Sequence, residues 1–166
     1  AAAITLAGDL LKGLIPVVAF IILRRFFPAG IDDLVIVLVG LGAFFGHLYP
    51  IFFNFEGGKG VATAFGVLLA WNPIVALLGA AIWGAVFYNT RISSLSALSA
   101  AAFVAIASIF YTPGKDWAYM LTAVFIIVGM LFYRHRSNIE RLLKGEEAPF
   151  GGGKMKDPFA DEDDDE

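Results

Sequence analysis

Two short stretches of this sequence carry residue types that suit an anion. The first is Phe55-Glu56-Gly57-Gly58-Lys59-Gly60-Val61-Ala62-Thr63. Glycines let the backbone come close to a ligand and expose successive N–H groups. Lys59 adds a positive charge. A helix beginning near Gly60 would aim its N-terminal partial charge at the same point. Thr63, one turn into that helix, could donate a hydroxyl. In physical terms this is a phosphate grip. It is not a Walker A loop, because Gly60 follows Lys59 where Ser or Thr is required and no strand precedes it. The bland alternative is an interfacial turn with a snorkelling lysine, which composition alone favours.

The second stretch is His135-Arg136-Ser137-Asn138-Ile139-Glu140-Arg141-Leu142-Leu143-Lys144-Gly145-Glu146. A helix here places His135, Asn138, Arg141 and Leu142 on one face. His135 can act as a base or an orienting donor, and Asn138 can hold a carbonyl or a hydroxyl. Arg141 suits phosphate. In isolation the segment reads better as the basic flank that stops a membrane span. Three further polar residues fall in apolar surroundings, where each needs a reason. Asp9 and Lys12, three apart, share a helix face, either as a neutralised structural pair or beside a site. His47, after Gly46 and before Pro50, reads as a packing residue when taken alone. Ser93, Ala97 and Ala101 form a small-residue stripe suited to close helix packing.

The elements that must position these residues are membrane helices. The 166 residues are 58% hydrophobic and 16% charged, with a mean hydropathy of +0.75. A soluble domain carries about 25% charged residues, so this chain is an integral membrane protein. The absence of cysteine excludes disulfides, thiolate metal sites and a cysteine nucleophile, and two histidines cannot build a histidine-rich zinc site. The net charge of −3 conceals two regions. Residues 1–144 hold ten Lys and Arg against six Asp and Glu, while residues 145–166 hold two against nine. There is no basic stripe for nucleic acid.

Charge-free runs at 34–55, 60–90, 92–114 and 117–133, with the apolar segment 1–23, mark the spans. The 60–90 run is too long for one helix. Asn72-Pro73 divides it into helices of roughly 60–71 and 73–89. Counting both as crossings puts Lys59, Arg91, Arg134, Arg136, Arg141 and Lys144 on one side, the cytoplasmic one by the positive-inside rule. Arg24 and Arg25 then fall outside, near Asp32 and Asp33. The expected fold is an all-α, polytopic membrane bundle of about six helices, over residues 1–147. Residues 148–166 form an acidic, disordered cytoplasmic tail. By this parity the two polar stretches share one membrane face. They then make one site for a substrate with a phosphate head and an apolar body.

The pattern Gly46-His47-x-x-Pro50-x-Phe52-x-x-Phe55-x-Gly57-Gly58-Lys59-Gly60-Val61-Ala62-Thr63-x-x-Gly66 resembles the second signature of the bacterial acyl-phosphate:glycerol-3-phosphate acyltransferases (PlsY). His135-x-x-Asn138-Ile139-x-Arg141-Leu142-x-x-Gly145, followed by Glu146 or Glu147, resembles the third. Asp9-Leu10-Leu11-Lys12-Gly13 and Arg91-Ile92-Ser93-Ser94-Leu95 also match family stretches. The resemblance covers residues 1–147. The family's first signature, a loop of the form S-G-N-x-G-A-T-N with a nearby arginine, is not among these residues. The resemblance places it upstream of Ala1 after one more membrane helix. The sequence is thus expected to be N-terminally incomplete, and acyl transfer to need that segment.

The resemblance implies transfer of a fatty acyl group from acyl phosphate to the sn-1 hydroxyl of glycerol 3-phosphate, giving lysophosphatidic acid and inorganic phosphate. No metal or cofactor is used. It implies that Gly57, Gly58, Lys59 and Gly60, with Thr63, grip the glycerol 3-phosphate phosphate. His135 and Asn138 would position or activate the hydroxyl and carbonyl, unless a substrate phosphate oxygen takes the proton and His135 only orients. Lys12 and Arg141 become charge partners, Asp9 and His47 supports, and one of Glu146 and Glu147 structural. The setting is the bacterial inner membrane with the site facing the cytoplasm. A peripheral enzyme making acyl phosphate is the implied partner. The alternative from the residues is a transporter or channel for an organic phosphate, built on broken helices. A third reading is a non-catalytic membrane subunit, in which Lys59 and His135 merely flank spans.

Overall fold

The computed structural model describes residues 2–50, 57–111 and 117–151. Phe55 and Glu56, which open the glycine stretch, and the acidic run beyond 151 lie outside the described residues. Seven helices follow in chain order: α1 Ala2–Leu23, α2 Asp33–Leu48, α3 Val61–Trp71, α4 Pro73–Thr90, α5 Ser93–Tyr111, α6 Trp117–Arg134 and α7 Arg136–Leu143. Among the described residues there is no strand. This is the expected all-α membrane bundle.

Helices α1, α4 and α5 are each long and apolar enough to cross a membrane, and α6 with α7 makes a fourth candidate bent by 59°. The apolar helices α2 and α3 are shorter, at 16 and 11 residues. At 1.5 Å per residue α3 is only about 17 Å long, against a hydrocarbon core of about 30 Å. The long run therefore divides where expected, but its first half is a short helix held within the bundle. The reading of α2 and α3 as two of six full crossings does not follow from their lengths.

Local chemistry explains the helix ends. Asp32 caps α2, its carboxylate accepting from the Val35 N–H at 2.9 Å, and Asp33 favours the positive end of the same helix. Asp33 also pairs with Arg24, which neutralises a charge that the positive-inside count leaves on the wrong side. Asn72 ends α3 and starts α4. Its N–H donates to Leu68 O at 2.7 Å, its Oδ1 accepts from the Val75 N–H at 3.2 Å, and its Nδ2 donates to Tyr111 O at 2.6 Å. Pro73 takes the first helical position, where its missing N–H costs nothing. Pro16 sits inside α1 without ending it.

The core gathers Val17, Phe44, Leu48, Val67, Val75 and Ile127, all fully buried. Helix α3 lies against α1 across two glycines. A Cβ on Gly13 would overlap the Thr63 carbonyl oxygen, and one on Gly66 would overlap the Leu10 carbonyl oxygen. Close approach through small residues is the usual way to pack helices in lipid. Because the obstructing atoms are backbone, Gly66→Ala is expected to destabilise the purified protein by about 1–3 kcal/mol, the usual cost of overpacking. A thermal unfolding midpoint equal to the wild type's would contradict this contact.

Candidate active site

The glycine stretch connects the end of α2 to the start of α3, and its glycines are demanded by space. A Cβ on Gly57 would overlap the carbonyl oxygens of His47 and Leu48, and one on Gly58 would press on the His47 ring. Gly60 takes φ +83°, the left-handed region open to glycine, and starts α3 against Phe44. Lys59 therefore stands exposed beside the N-terminus of α3. Burial of its ammonium lowers its pKa from the usual lysine value; Glu147 opposes the shift and Arg141 adds to it. These mutual influences put Lys59, Arg141 and Glu147 at one place.

His135 forms the corner between α6 and α7, so it is not on a continuous helix with Asn138, as the sequence suggests. Its backbone (φ −98°, ψ 8°) breaks the ladder, and its N–H is shared between Leu131 O and Phe132 O. The ring is buried, with Nδ1 2.7 Å from Leu131 O. A carbonyl only accepts, so Nδ1 carries the proton and Nε2 keeps a free lone pair.

One turn later Asn138, 4% exposed, donates from Nδ2 to Glu147 Oε1 at 2.5 Å. Its Oδ1 is buried and has no partner among the described residues. Asn138 can therefore accept from a hydroxyl at Oδ1, while one of the two N–H groups of its amide is taken by Glu147. Glu147 also accepts from Ser94 Oγ at 2.5 Å and from Arg141 Nε at 2.6 Å. It thus ties α5, α7 and the following segment together. Burial acts to raise its pKa, but these hydrogen bonds and the Arg141 charge outweigh burial and hold the carboxyl below its usual range.

The structure separates the two adjacent glutamates. Glu147 is the internal carboxylate, whereas Glu146 is exposed and contributes its N–H to Arg141 O. Thr63 departs from expectation. It is fully buried and donates to Asp9 O at 2.9 Å, so its hydroxyl stitches α3 to α1 and is not offered to the glycine loop. Asp9 pairs with Lys12 at 2.7 Å and approaches His47 Nδ1 at 3.5 Å. This trio backs the glycine loop through the His47 ring.

Lys59, His135, Asn138 and Glu147 line the polar end of a cavity of about 590 Å³. Apart from Ser93 and Ser94 its remaining wall is apolar, including Leu68 on α3, Ala76 on α4, Val104 on α5 and Ile127 on α6. Ser93, Ala97 and Ala101, expected to serve helix packing, face this cavity and give it room. Close packing of α4 on α5 also uses Gly79, where a Cβ would press on Val104. The chain after Glu147 stays on the body, with the Phe150 N–H donating to Arg91 O at 2.7 Å and Ala148 and Phe150 lining the cavity.

Two participants escape sequence reasoning. Ser94 sits in a stretch already matched to the family, but its partner is 53 residues away. Arg134 reads only as one of the basic residues flanking a span, yet it bonds the glycine loop.

The glycerol-3-phosphate acyltransferase family model matches residues 1–145. The glycerol-3-phosphate acyltransferase of Neisseria meningitidis serogroup C (strain 053442) is 44% identical over 154 residues, covering 93% of this chain and 74% of that protein. The crystal structure of PlsY (YgiH), an integral membrane glycerol 3-phosphate acyltransferase, superposes in its lysophosphatidic acid form with a TM-score of 0.77 at 37% identity, covering 90% of this chain and 72% of that one. Its glycerol 3-phosphate form gives the same TM-score and identity over 90% and 70%. This multi-pass membrane chain belongs to the glycerol-3-phosphate acyltransferase family.

Proposed function

We propose that this protein transfers a fatty acyl group from acyl phosphate to the sn-1 hydroxyl of glycerol 3-phosphate. The observation that carries the reading is the asymmetry of the cavity. Its apolar length suits an acyl chain. Its wall also carries Lys59, the His135 imidazole with Nδ1 bound to Leu131 O, and Asn138, whose Oδ1 has no partner among the described residues.

Acyl phosphate is a mixed anhydride and is already activated, so no protein nucleophile is required. The work left to the protein is to hold two phosphates, orient the hydroxyl and stabilise developing charge. Lys59, the loop N–H groups and the start of α3 hold the phosphate of glycerol 3-phosphate. The attacking hydroxyl donates to His135 Nε2, and a neighbouring hydroxyl donates to Asn138 Oδ1. The new C–O ester bond forms as the bond from the acyl carbon to the phosphate oxygen breaks. The proton ends on the departing phosphate. Arg141 holds Glu147 through Nε and keeps its remaining N–H groups for phosphate charge.

The basic residues at the loop-bearing end support a cytoplasmic face of a bacterial inner membrane. A peripheral enzyme making acyl phosphate is the partner such a donor implies. The catalytic domain is the helical body.

The test uses membranes carrying the full natural protein, with palmitoyl phosphate and labelled glycerol 3-phosphate, and palmitoyl-CoA as comparison donor. Lysophosphatidic acid formed from the acyl phosphate alone is the expected result. No product with either donor would overturn the proposal. Lys59→Ala is expected to lower kcat/KM by about 10–100-fold, the scale of a lost charge-assisted hydrogen bond, mainly through KM for glycerol 3-phosphate. An unchanged KM would remove Lys59 from the grip.

A further inference from the structure

Arg134, the last residue of α6, has no part in the acyl-transfer scheme above. Its Nη2 donates to Gly57 O at 2.5 Å and to Gly58 O at 3.0 Å, and its guanidinium carbon lies 5.8 Å from the centroid of the Tyr49 ring. In a trans peptide the C=O and the following N–H point in opposite directions. Holding the Gly57 and Gly58 carbonyls toward Arg134 therefore turns the N–H groups of Gly58 and Lys59 away from it. Among the described residues neither N–H has a hydrogen-bond partner. On its other side the loop abuts the His47 and Leu48 carbonyls and the His47 ring. Two adjacent glycines have the widest backbone freedom of any dipeptide. Packing against α2 limits where they lie, and Arg134 limits how their peptide planes turn.

We propose that Arg134 is a positioning residue for the substrate phosphate, fixing the Gly57 and Gly58 peptides so that the N–H groups of Gly58 and Lys59 are presented before the anion arrives. The proposal rests on the reading of this loop as the grip for glycerol 3-phosphate. Preorganised donors bind without an ordering cost at the moment of binding. Arg134 thus acts on affinity and leaves the acyl-transfer step to His135. A lysine at this position restores the charge and can reach both carbonyls from one nitrogen, as Nη2 does, but it has no planar guanidinium to lay over the Tyr49 ring.

The experiment measures equilibrium binding of labelled glycerol 3-phosphate to the purified full natural protein in nanodiscs, beside kcat and KM for each substrate. Arg134→Gln is expected to raise the Kd and the KM for glycerol 3-phosphate about tenfold or more, with kcat within about threefold, as for loss of uniform binding. Arg134→Lys should recover part of the loss. Tyr49→Leu, which removes the ring beneath the guanidinium and leaves the His135 corner untouched, should raise Kd about threefold. A Kd within twofold of the wild type's together with a reduced kcat would overturn the proposal, because Arg134 would then be acting through its neighbour His135. Should Arg134→Gln fail to fold, unchanged Kd values in both Arg134→Lys and Tyr49→Leu would also overturn it. A rise confined to the KM for palmitoyl phosphate would overturn the assignment of this phosphate to glycerol 3-phosphate. If the wild type binds glycerol 3-phosphate but makes no product, the acyltransferase reading falls, and the Kd values alone decide the role of Arg134.

Discussion

Replacing His135 by alanine is expected to lower kcat/KM for acyl transfer by about 10²–10⁴-fold, the usual worth of a positioned general base. Leu131 O holds the Nδ1 proton, so the Nε2 lone pair is free at the polar end of the cavity. Alanine removes that lone pair and nothing replaces it. The cost to stability should be modest. Leu131 O also accepts from the backbone N–H of residue 135 at 3.0 Å, and that bond survives the substitution. Steady-state kinetics beside thermal unfolding separate the two effects. A variant within threefold of wild-type kcat/KM would show that a substrate phosphate oxygen takes the proton unaided and that His135 is dispensable.

Glu147→Ala is expected to produce the largest loss of stability, together with loss of activity. The carboxylate is 8% exposed and receives hydrogen bonds from Ser94, Asn138 and Arg141. Without it the Ser94 hydroxyl and the Asn138 amide are left buried and unpaired, at about 1–3 kcal/mol each. Arg141 is half exposed and can turn to water, so it adds little. Asn138 also loses the contact that fixes its side chain beside the cavity, so kcat/KM should fall even at temperatures where the variant is folded. The pH dependence has a definite sign. The folded pKa of Glu147 lies below its ordinary value. Its contribution to stability is therefore complete above the unfolded-state pKa and is lost as pH falls through the folded one. The wild-type unfolding midpoint should drop on acidification below the ordinary glutamate range, and the Glu147→Ala curve should be flatter there. Parallel curves would mean that other carboxylates carry the acid response.

Much of the architecture is legible along the chain because the signals are local. Charge-free runs mark where helices meet lipid, and Asn72-Pro73 divides a run too long for one helix. The glycine-lysine stretch precedes α3 because a glycine loop and the helix N-terminus it opens are neighbours in sequence. The separate signatures around Lys59 and His135 name the family, and the structure brings them to one cavity. Local reading fails where a residue's role depends on a distant atom. Thr63 looks like a donor to the loop until Asp9 O, 54 residues earlier, claims its hydroxyl. Glu146 and Glu147 are alike in sequence, and only the positions of Ser94 and Asn138 make the second one internal. Arg134 is one basic residue among several until α6 carries it to the carbonyls of Gly57 and Gly58, 77 and 76 residues away. Periodicity and composition report which face of a helix is apolar. They carry no record of which polar groups from distant segments share a site in a medium with no water to satisfy them, and the packing of the bundle settles that.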